Sequence, residues 1–140
     1  MPDAENLDLT FIVLAYNEED LLEATVLEII TMLEAVGKRA TILIMDDGST
    51  DRTPEIADRM VREHRDVRCY HHPGNVGQSA NIRKGIELVE TTWYASLPGD
   101  NQFIMASFER FLPFLGQYDI IFGFPNNEYE RGRARVTASH

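Results

Sequence analysis

The sequence has a single cysteine, Cys69, among its 140 residues. No internal disulfide can form, so a reducing compartment is the simplest expectation. No apolar run approaches the roughly 20 residues that a membrane-spanning helix needs. The acidic residues before Asp8 are unlike a secretory signal peptide. These absences predict a soluble, cytoplasmic protein with no transmembrane segment in this chain.

Basic residues are also scarce, since 13 Lys and Arg stand against 23 Asp and Glu and the formal net charge is -10. Such a surface repels polyanions, so the composition argues against a nucleic-acid partner. A phosphate-bearing ligand would need a local device, such as a bound metal ion, to offset the repulsion. The hydrophobic content of 44% and the chain length predict one domain with a core of ordinary size.

Short apolar runs alternate with helical patterns along most of the chain. Five runs are typical of buried strands, at residues 9–15, 40–45, 67–71, 92–97 and 119–124. Apolar residues at helical spacing lie between them, over about 22–36, 56–61, 78–89 and 103–115, the last interrupted by Pro113. Successive βα units predict an α/β fold, with an open, mostly parallel sheet and helices on both faces.

The crossing after the second strand is strongly acidic and reads Asp46-Asp47-Gly48-Ser49-Thr50-Asp51. Gly48 permits a sharp turn, and Pro54 suits the first position of the following helix. Three residues are competent N-caps for that helix: Thr50, Asp51 and Thr53. The adjacent carboxylates can serve the helix N-terminus alone, or face a ligand in the crevice of an open sheet. The residues themselves leave both interpretations open.

Two other crossings carry chemically useful side chains, Tyr16 to Asp20 after the first strand and Asp100 to Gln102 after the fourth. Asn17 is a suitable N-cap for the first helix. Because parallel strands end at one edge of a sheet, all three crossings should open on that edge. A tyrosine face can stack on a base, a carboxylate can accept an N–H from it, and Asp and Gln oxygens can ligate Mg²⁺ or Mn²⁺. Together they outline a nucleoside-diphosphate site, although each residue alone also fits a packing or turn role.

His71 and His72 are potential metal ligands at the end of the third strand. Adjacent strand residues point to opposite faces, so the pair is not expected to share one metal ion. A cluster of arginines near the end of the chain has two interpretations, a solvated tail or an anchor for a phosphate. Its members are Arg131, Arg133 and Arg135.

Three segments, in combination and in this order, resemble the family 2 glycosyltransferases of the GT-A fold. They are Phe11–Glu19 (FIVLAYNEE), Met45–Thr53 (MDDGSTDRT), and Asn75-Val76-Gly77 followed by Ala80, Arg83 and Gly85. The resemblance extends from about Leu9 to Phe124. Within the family, the sequence is most similar to the polyprenol-phosphate hexosyltransferases, because Gln102 falls where those enzymes carry a metal-ligating Gln.

The resemblance implies transfer of a hexose from a nucleoside-diphosphate sugar to an acceptor, with a polyprenyl phosphate at the cytoplasmic face of a membrane as one candidate. It also implies a divalent cation, Mg²⁺ or Mn²⁺, that offsets the charge of the diphosphate leaving group. The implied nucleotide-binding residues are Ala15, Tyr16, Glu18, Asp47, Asn75, Gly77 and Arg83, and the implied metal ligands are Asp100 and Gln102. Asp47 is expected to hydrogen-bond the base.

Two features depart from the family's pattern. The metal motif is usually Asp-x-Asp, but Pro98 stands at its first position, so Asp100 is left with Gln102 and substrate oxygens. The family places acceptor binding and the catalytic base in later sequence, so no general base is identified here. We therefore interpret residues 1–140 as a single α/β nucleotide-sugar-binding domain, the N-terminal part of a longer catalytic domain.

Two alternatives remain at this stage. A module that binds nucleotide sugars without turnover would fit Pro98 and the lack of an acceptor half. A receiver domain of a signalling relay is also an acidic α/β protein of similar length. Receivers place an acidic pair after the first strand and a Lys after the fifth. Here the pair follows the second strand and Phe124-Pro125 follows the fifth, so the receiver is the weaker alternative.

Overall fold

The computed structural model describes residues 4–100 and 105–121. Within them, strands and helices alternate as the sequence pattern predicts. In chain order the elements are β1 (Glu5–Ala15), α1 (Leu22–Ala35), β2 (Lys38–Asp46), α2 (Thr53–Glu63), β3 (Val67–His71), α3 (Gln78–Leu88), β4 (Trp93–Pro98) and a 3-10 helix (Met105–Phe114).

The four described strands form one parallel sheet in the order β3-β2-β1-β4. β1 is paired on both sides, with β2 and with β4. Helices cover both faces of this central strand, so Phe11, Ile12 and Val13 are fully buried in succession. The register places Ala15 opposite Asp46, and Asp46 opposite His71. β1, β2 and β3 consequently end level with one another at one edge of the sheet.

Helices lie on both faces of this sheet, which confirms the predicted fold class. On one face α1 and α2 cover the alternate β1 residues Phe11 and Val13, and the Phe108 ring of the 3-10 helix lies 5.0 Å from that of Phe11. On the other face α3 approaches closely at Gly85, where an added Cβ would lie 3.1 Å from Ile12 Cγ2. The small residue allows the helix to pack directly on the sheet.

Several local predictions are wrong. β1 begins at Glu5 rather than residue 9. α1 begins at Leu22 with Leu21 in the N-cap position, so Asn17 does not cap it. Residues 105–114 are helical, as the apolar spacing predicts, but they form a 3-10 helix with Pro113 near its end. Residues 119–121 are not in a strand, and the remainder of the predicted fifth strand lies outside the described residues.

An ion pair fixes the amino end of the sheet and gives a first testable prediction. Arg39 of β2 donates to both carboxylate oxygens of Asp66 at 2.7 and 2.9 Å. These bonds hold the pKa of Asp66 below its ordinary value. The stabilisation is therefore present above the unfolded pKa of about 4 and is lost as the pH falls through the lower folded pKa.

We expect Asp66→Asn to lower the free energy of unfolding by about 0.5–1 kcal/mol at pH 7, since the pair is partly exposed. The loss should shrink at pH 3, because this lies below the unfolded pKa of about 4 and the unfolded chain then binds a proton that the folded ion pair resists. Urea denaturation at both pH values measures the difference. An equal loss at pH 3 and pH 7 would show that the ionised pair is not the source of the stabilisation.

Candidate functional site

The loops at the carboxyl edge of the sheet are held side by side by main-chain hydrogen bonds. Asp47 N–H donates to Ala15 O at 2.9 Å, Gly99 N–H to Leu14 O at 2.7 Å, and His72 N–H to Asp46 O at 2.9 Å. Each bond continues the strand pairing past the end of a strand. The loops that follow β1, β2, β3 and β4 therefore begin at one edge, as the sequence predicts.

The β1–α1 and β2–α2 loops are joined by side chains as well. Asn17 has a positive φ of 51°, a conformation that asparagine tolerates better than most residues. Its Oδ1 accepts the Thr50 N–H at 2.9 Å, and its own N–H donates to Ser49 Oγ at 3.0 Å. Glu18 N–H donates to Thr53 Oγ1 at 2.8 Å. Asn17 thus connects two loops instead of capping a helix.

α2 has Arg52 in its N-cap position, with no capping bond from that side chain. Of the three residues predicted as N-caps, Asp51 is the one whose side chain accepts a hydrogen bond from the first residue of the helix. Its Oδ1 accepts the Thr53 N–H at 2.8 Å, while its Oδ2 accepts the Glu19 N–H at 3.2 Å. Asp51 therefore serves both the helix and the neighbouring loop.

Asp47 is buried, with only 4% of its surface exposed. Its Oδ1 accepts the Val76 N–H at 2.8 Å and its Oδ2 accepts the Gly77 N–H at 3.1 Å. The carboxylate therefore holds the β3–α3 loop, which also contains Asn75. Each carboxylate oxygen has a second lone pair, so these bonds leave acceptor capacity for a ligand. Three of the predicted nucleotide-binding residues meet at this point.

Gly48 allows this close approach of the two loops. It has a φ of +66°, and a Cβ there would lie 2.3 Å from the Gly74 carbonyl carbon and 2.6 Å from the Asn75 nitrogen. Real side chains do not occupy such positions. The glycine in the acidic motif is therefore required by the neighbouring loop as well as by its own turn.

Asp46 forms a second anchor that the sequence interpretation did not assign. It is 1% exposed, its Oδ1 accepts the Ser49 N–H at 3.1 Å, and its Oδ2 lies 2.7 Å from His71 Nδ1. His71 Nε2 lies 2.8 Å from Asp58 Oδ1. His72 instead contacts Asn81 of α3 at 2.9 Å, which agrees with the expectation that the adjacent histidines point to opposite faces.

Three acidic side chains, Glu18, Asp51 and Asp100, interact electrostatically where the β1 and β4 loops meet. The pKa of Glu18 is raised because the carboxyl group is partly buried and because Asp100 and Asp51 repel its charge. A cation bound near these groups would relieve that repulsion. Within residues 4–100 and 105–121, however, no group of three or more His, Cys, Asp or Glu side chains is arranged to hold a metal ion. Gln102 lies outside the described residues.

The other predicted site residues occupy different environments. Ala15 is buried at the end of β1, whereas Tyr16 is 46% exposed and accessible to a ligand. Arg83 is exposed on α3, and its position in the helix places it about 7.5 Å along the axis from Gln78. The structure thus brings most of the predicted nucleotide site to one edge, with Arg83 further from the loop.

The parallel sheet of the described strands, with helices on both faces and polar loops at its carboxyl edge, defines an open α/β domain of the kind that binds ligands at that edge. Residues 10–139 match the family model described as "Glycosyl transferase family 2". The chain belongs to that family. Among the described residues, no helix is both long enough and apolar enough to cross a membrane.

Two curated relatives have names that refer to sugar transfer. Glycosyltransferase AglD of Haloferax volcanii is 28% identical over 145 residues, which cover 97% of this chain and 23% of that protein. Dodecaprenyl-phosphate galacturonate synthase of Rhizobium johnstonii is 30% identical over 99 residues, which cover 70% of this chain and 29% of that protein. The chain thus spans less than a third of the length of either relative.

A solved structure supports the GT-A fold. The mannosyltransferase PcManGT from Pyrobaculum calidifontis, in complex with GDP-Man and Mn²⁺, superposes with a TM-score of 0.58 at 21% identity. The match covers 66% of this chain and 27% of that one. The fold class predicted from the sequence is confirmed.

Proposed function

We propose that this chain is the donor-binding part of a glycosyltransferase that moves a hexose from a nucleoside-diphosphate sugar to an acceptor, with help from a divalent cation. The observation that carries the proposal is the meeting of four loops at one sheet edge, where Tyr16, Asp47 and Asp100 all lie. In an open α/β sheet, this edge is where ligands bind. We also propose that residues 1–140 form one domain within a longer catalytic chain.

In this proposal the nucleoside lies across the ends of β1 and β2. The exposed ring of Tyr16 offers a face on which a base can stack. The carboxylate of Asp47 can accept an N–H from the base while it holds the Val76 and Gly77 amides. Because this carboxylate is fixed by two main-chain donors, it needs little reordering when the ligand binds. Ala15, Glu18, Asn75 and Gly77 would complete the pocket, with Arg83 available to a phosphate.

Asp100, Gln102 and the diphosphate would hold the cation. When bound, the cation supplies Lewis-acid stabilisation of the negative charge that develops on the leaving diphosphate. The raised pKa of Glu18 supports a cation at this position, since the surrounding carboxylates repel one another without it. Two protein oxygens are few for Mg²⁺ or Mn²⁺, so we expect the metal and the nucleotide to bind together.

The acceptor is proposed from the relatives. The dodecaprenyl-phosphate galacturonate synthase is named after a polyprenyl phosphate, and a lipid phosphate of this class would place the transfer at the cytoplasmic face of a membrane. Arg131, Arg133 and Arg135, the candidate phosphate anchor, lie outside the described residues. Transfer assays with the longer protein and a polyprenyl phosphate distinguish an enzyme from a module that only binds nucleotide sugars.

Asp100→Asn tests the cation assignment. We expect this variant to weaken binding of a nucleoside diphosphate in Mn²⁺, and to have little effect in chelator, because coupling between metal and nucleotide is reciprocal. We expect the nucleotide affinity of Asp100→Asn in Mn²⁺ to fall about 5-fold or more, which is the usual range for coupling between two binding sites. Calorimetric titration of UDP and of GDP under both conditions measures it.

The matched control is Glu34→Gln, which removes the same charge from an exposed position at the C-terminal end of α1. It should leave both affinities unchanged. Equal losses for Asp100→Asn with and without Mn²⁺ would show that Asp100 contacts the nucleotide directly or supports the fold. If wild-type protein binds neither nucleotide under any condition, the proposed function is wrong.

A further inference from the structure

We infer that His71, which no part of the proposed site includes, is a positioning residue that holds the acidic 46–51 turn more firmly in its binding conformation when its ring is protonated than when it is neutral. The inference rests on the proposed function for its effect on nucleotide binding. Its effect on the turn itself is independent of any ligand, and the two are tested separately.

With both neighbouring carboxylates ionised, the geometry requires a charged ring. His71 Nδ1 lies 2.7 Å from Asp46 Oδ2, and Nε2 lies 2.8 Å from Asp58 Oδ1. Ionised carboxylates only accept hydrogen bonds, whereas a neutral imidazole has one N–H and one acceptor nitrogen. Both contacts can therefore be hydrogen bonds only in the imidazolium form, in which both nitrogens donate.

The groups around the ring favour this form. Asp46 faces it from β2, Asp58 faces it from α2, and Cys69 lies beside it on β3 with Sγ 3.5 Å from Nε2. Burial opposes the charge on the ring, but the hydrogen bonds to Asp58 and Asp46 outweigh it, so the pKa of His71 is raised. Burial raises the pKa of the Cys69 thiol to about 12, so it stays neutral and adds no charge.

The contact extends from the ring to the turn. The Asp46 oxygen that does not face His71 accepts the Ser49 N–H at 3.1 Å. Ser49 Oγ in turn accepts the N–H of Asn17 at 3.0 Å, the residue directly after Tyr16. The orientation of the Asp46 carboxylate thus affects both loops that carry the proposed base pocket. Asp46 itself has almost no exposed surface, so water cannot replace the histidine.

Loss of the proton breaks one contact, and burial decides which one. The Asp58 side chain is 55% exposed, whereas that of Asp46 is 1% exposed. Water can solvate Asp58 after the break, so the remaining N–H should stay on Nδ1 and donate to Asp46. α2 then loses its tie to β3, and the bond to Asp46 loses its charge assistance. We expect the turn to loosen as the pH rises through the raised pKa of His71.

The first experiment observes the turn without a ligand. The amide resonance of Ser49, followed by NMR from pH 5 to pH 9 in the full chain, should shift with the same midpoint as the His71 ring. In His71→Gln the side-chain amide can still donate to Asp46 but does not titrate, so the shift should vanish. If the Ser49 amide resonance does not shift as the His71 ring titrates, the inference is wrong.

The second experiment measures the pH dependence of binding in Mn²⁺, with GDP-mannose and UDP-glucose as probes. Binding is compared only up to about pH 8, since in that range neither the phosphates of these sugar esters nor the N–H groups of their bases titrate. Wild-type affinity should fall about five-fold on deprotonation, the low end of coupling between sites. Asp58→Asn should move the midpoint to lower pH, because it removes one of the carboxylates that favour the imidazolium.

His72→Gln is the matched control, since this neighbouring histidine lies on the opposite face of the sheet and should leave the pH profile unchanged. His71→Gln should give a flat profile. A profile that persists in His71→Gln would refute the inference, even if the nucleotide binds well. If neither sugar nucleotide binds wild-type protein, the proposed function fails, while the Ser49 titration still decides the role of His71.

Discussion

Gly48→Ala should lower the free energy of unfolding by about 2–5 kcal/mol, the sum of a left-handed backbone and a steric overlap. Gly48 has a φ of +66°, and its added Cβ would lie 2.3 Å from the Gly74 carbonyl carbon. The opposing atoms belong to the main chain, so no side chain can rotate away. The β3–α3 loop would have to move, and this would strain the bonds from Val76 and Gly77 to Asp47.

Gly37→Ala provides the control for this prediction. Gly37 has a nearly identical φ of +67°, but an added Cβ would meet nothing within 4 Å. Gly37→Ala should lower the free energy of unfolding only by the cost of the left-handed backbone, about 1–2 kcal/mol. Urea denaturation of the two variants isolates the overlap, and nucleotide titration of Gly48→Ala should show a weakened site. If the two alanines cost the same, the loops do not approach each other as closely as the structure places them.

Asp47→Ala should weaken nucleotide-sugar binding by about 1–3 kcal/mol, the cost of removing one partner of a buried hydrogen bond. The variant removes the proposed acceptor for the base and also releases the amides of Val76 and Gly77. These two effects have different signatures. Loss of a base contact should reduce discrimination between UDP and GDP, whereas a displaced loop should weaken both nucleotides by the same factor.

Calorimetric titration with both nucleotides tests the assignment, and Asp20→Ala is the matched control. Asp20 is exposed in the β1–α1 loop, so its replacement removes the same charge from the same edge without removing an anchor. We expect the control to retain both affinities. Should Asp47→Ala preserve the ratio of the two dissociation constants while raising both, Asp47 acts by holding the loop and does not contact the base.

The sequence alone was sufficient for the succession of β1 to β4 along the chain and for the edge of the sheet on which the loops open. Both follow from local information, because hydrophobic periodicity and turn residues act within a few positions of the chain. Parallel pairing then follows from the helices between the strands. The prediction was wrong where a local pattern allowed two structures, as in residues 119–121, which are apolar in part but form no strand.

The family motifs also identified the residues at the edge from sequence alone. The pattern places Tyr16, Asp47 and Asp100 at this edge, because each lies within three positions of the end of a predicted strand. The specific partners of these residues were not predictable in this way. Asp47 faces Val76 and Gly77, about thirty positions later in the chain, and nothing local in either segment indicates that pairing.

Only the tertiary structure decided which polar groups meet. Asn17 has the composition of a helix cap, yet its side chain binds Thr50, 33 positions away. Asp46 and His71 meet because β2 and β3 are paired in a register that places the two residues opposite each other. Register and strand order are set by the packing of the whole sheet, since a slip of one residue would move every core side chain to the other face. The sequence by itself thus determined most of the elements and the edge that holds the candidate site, whereas the packed sheet determined the partners of each carboxylate there.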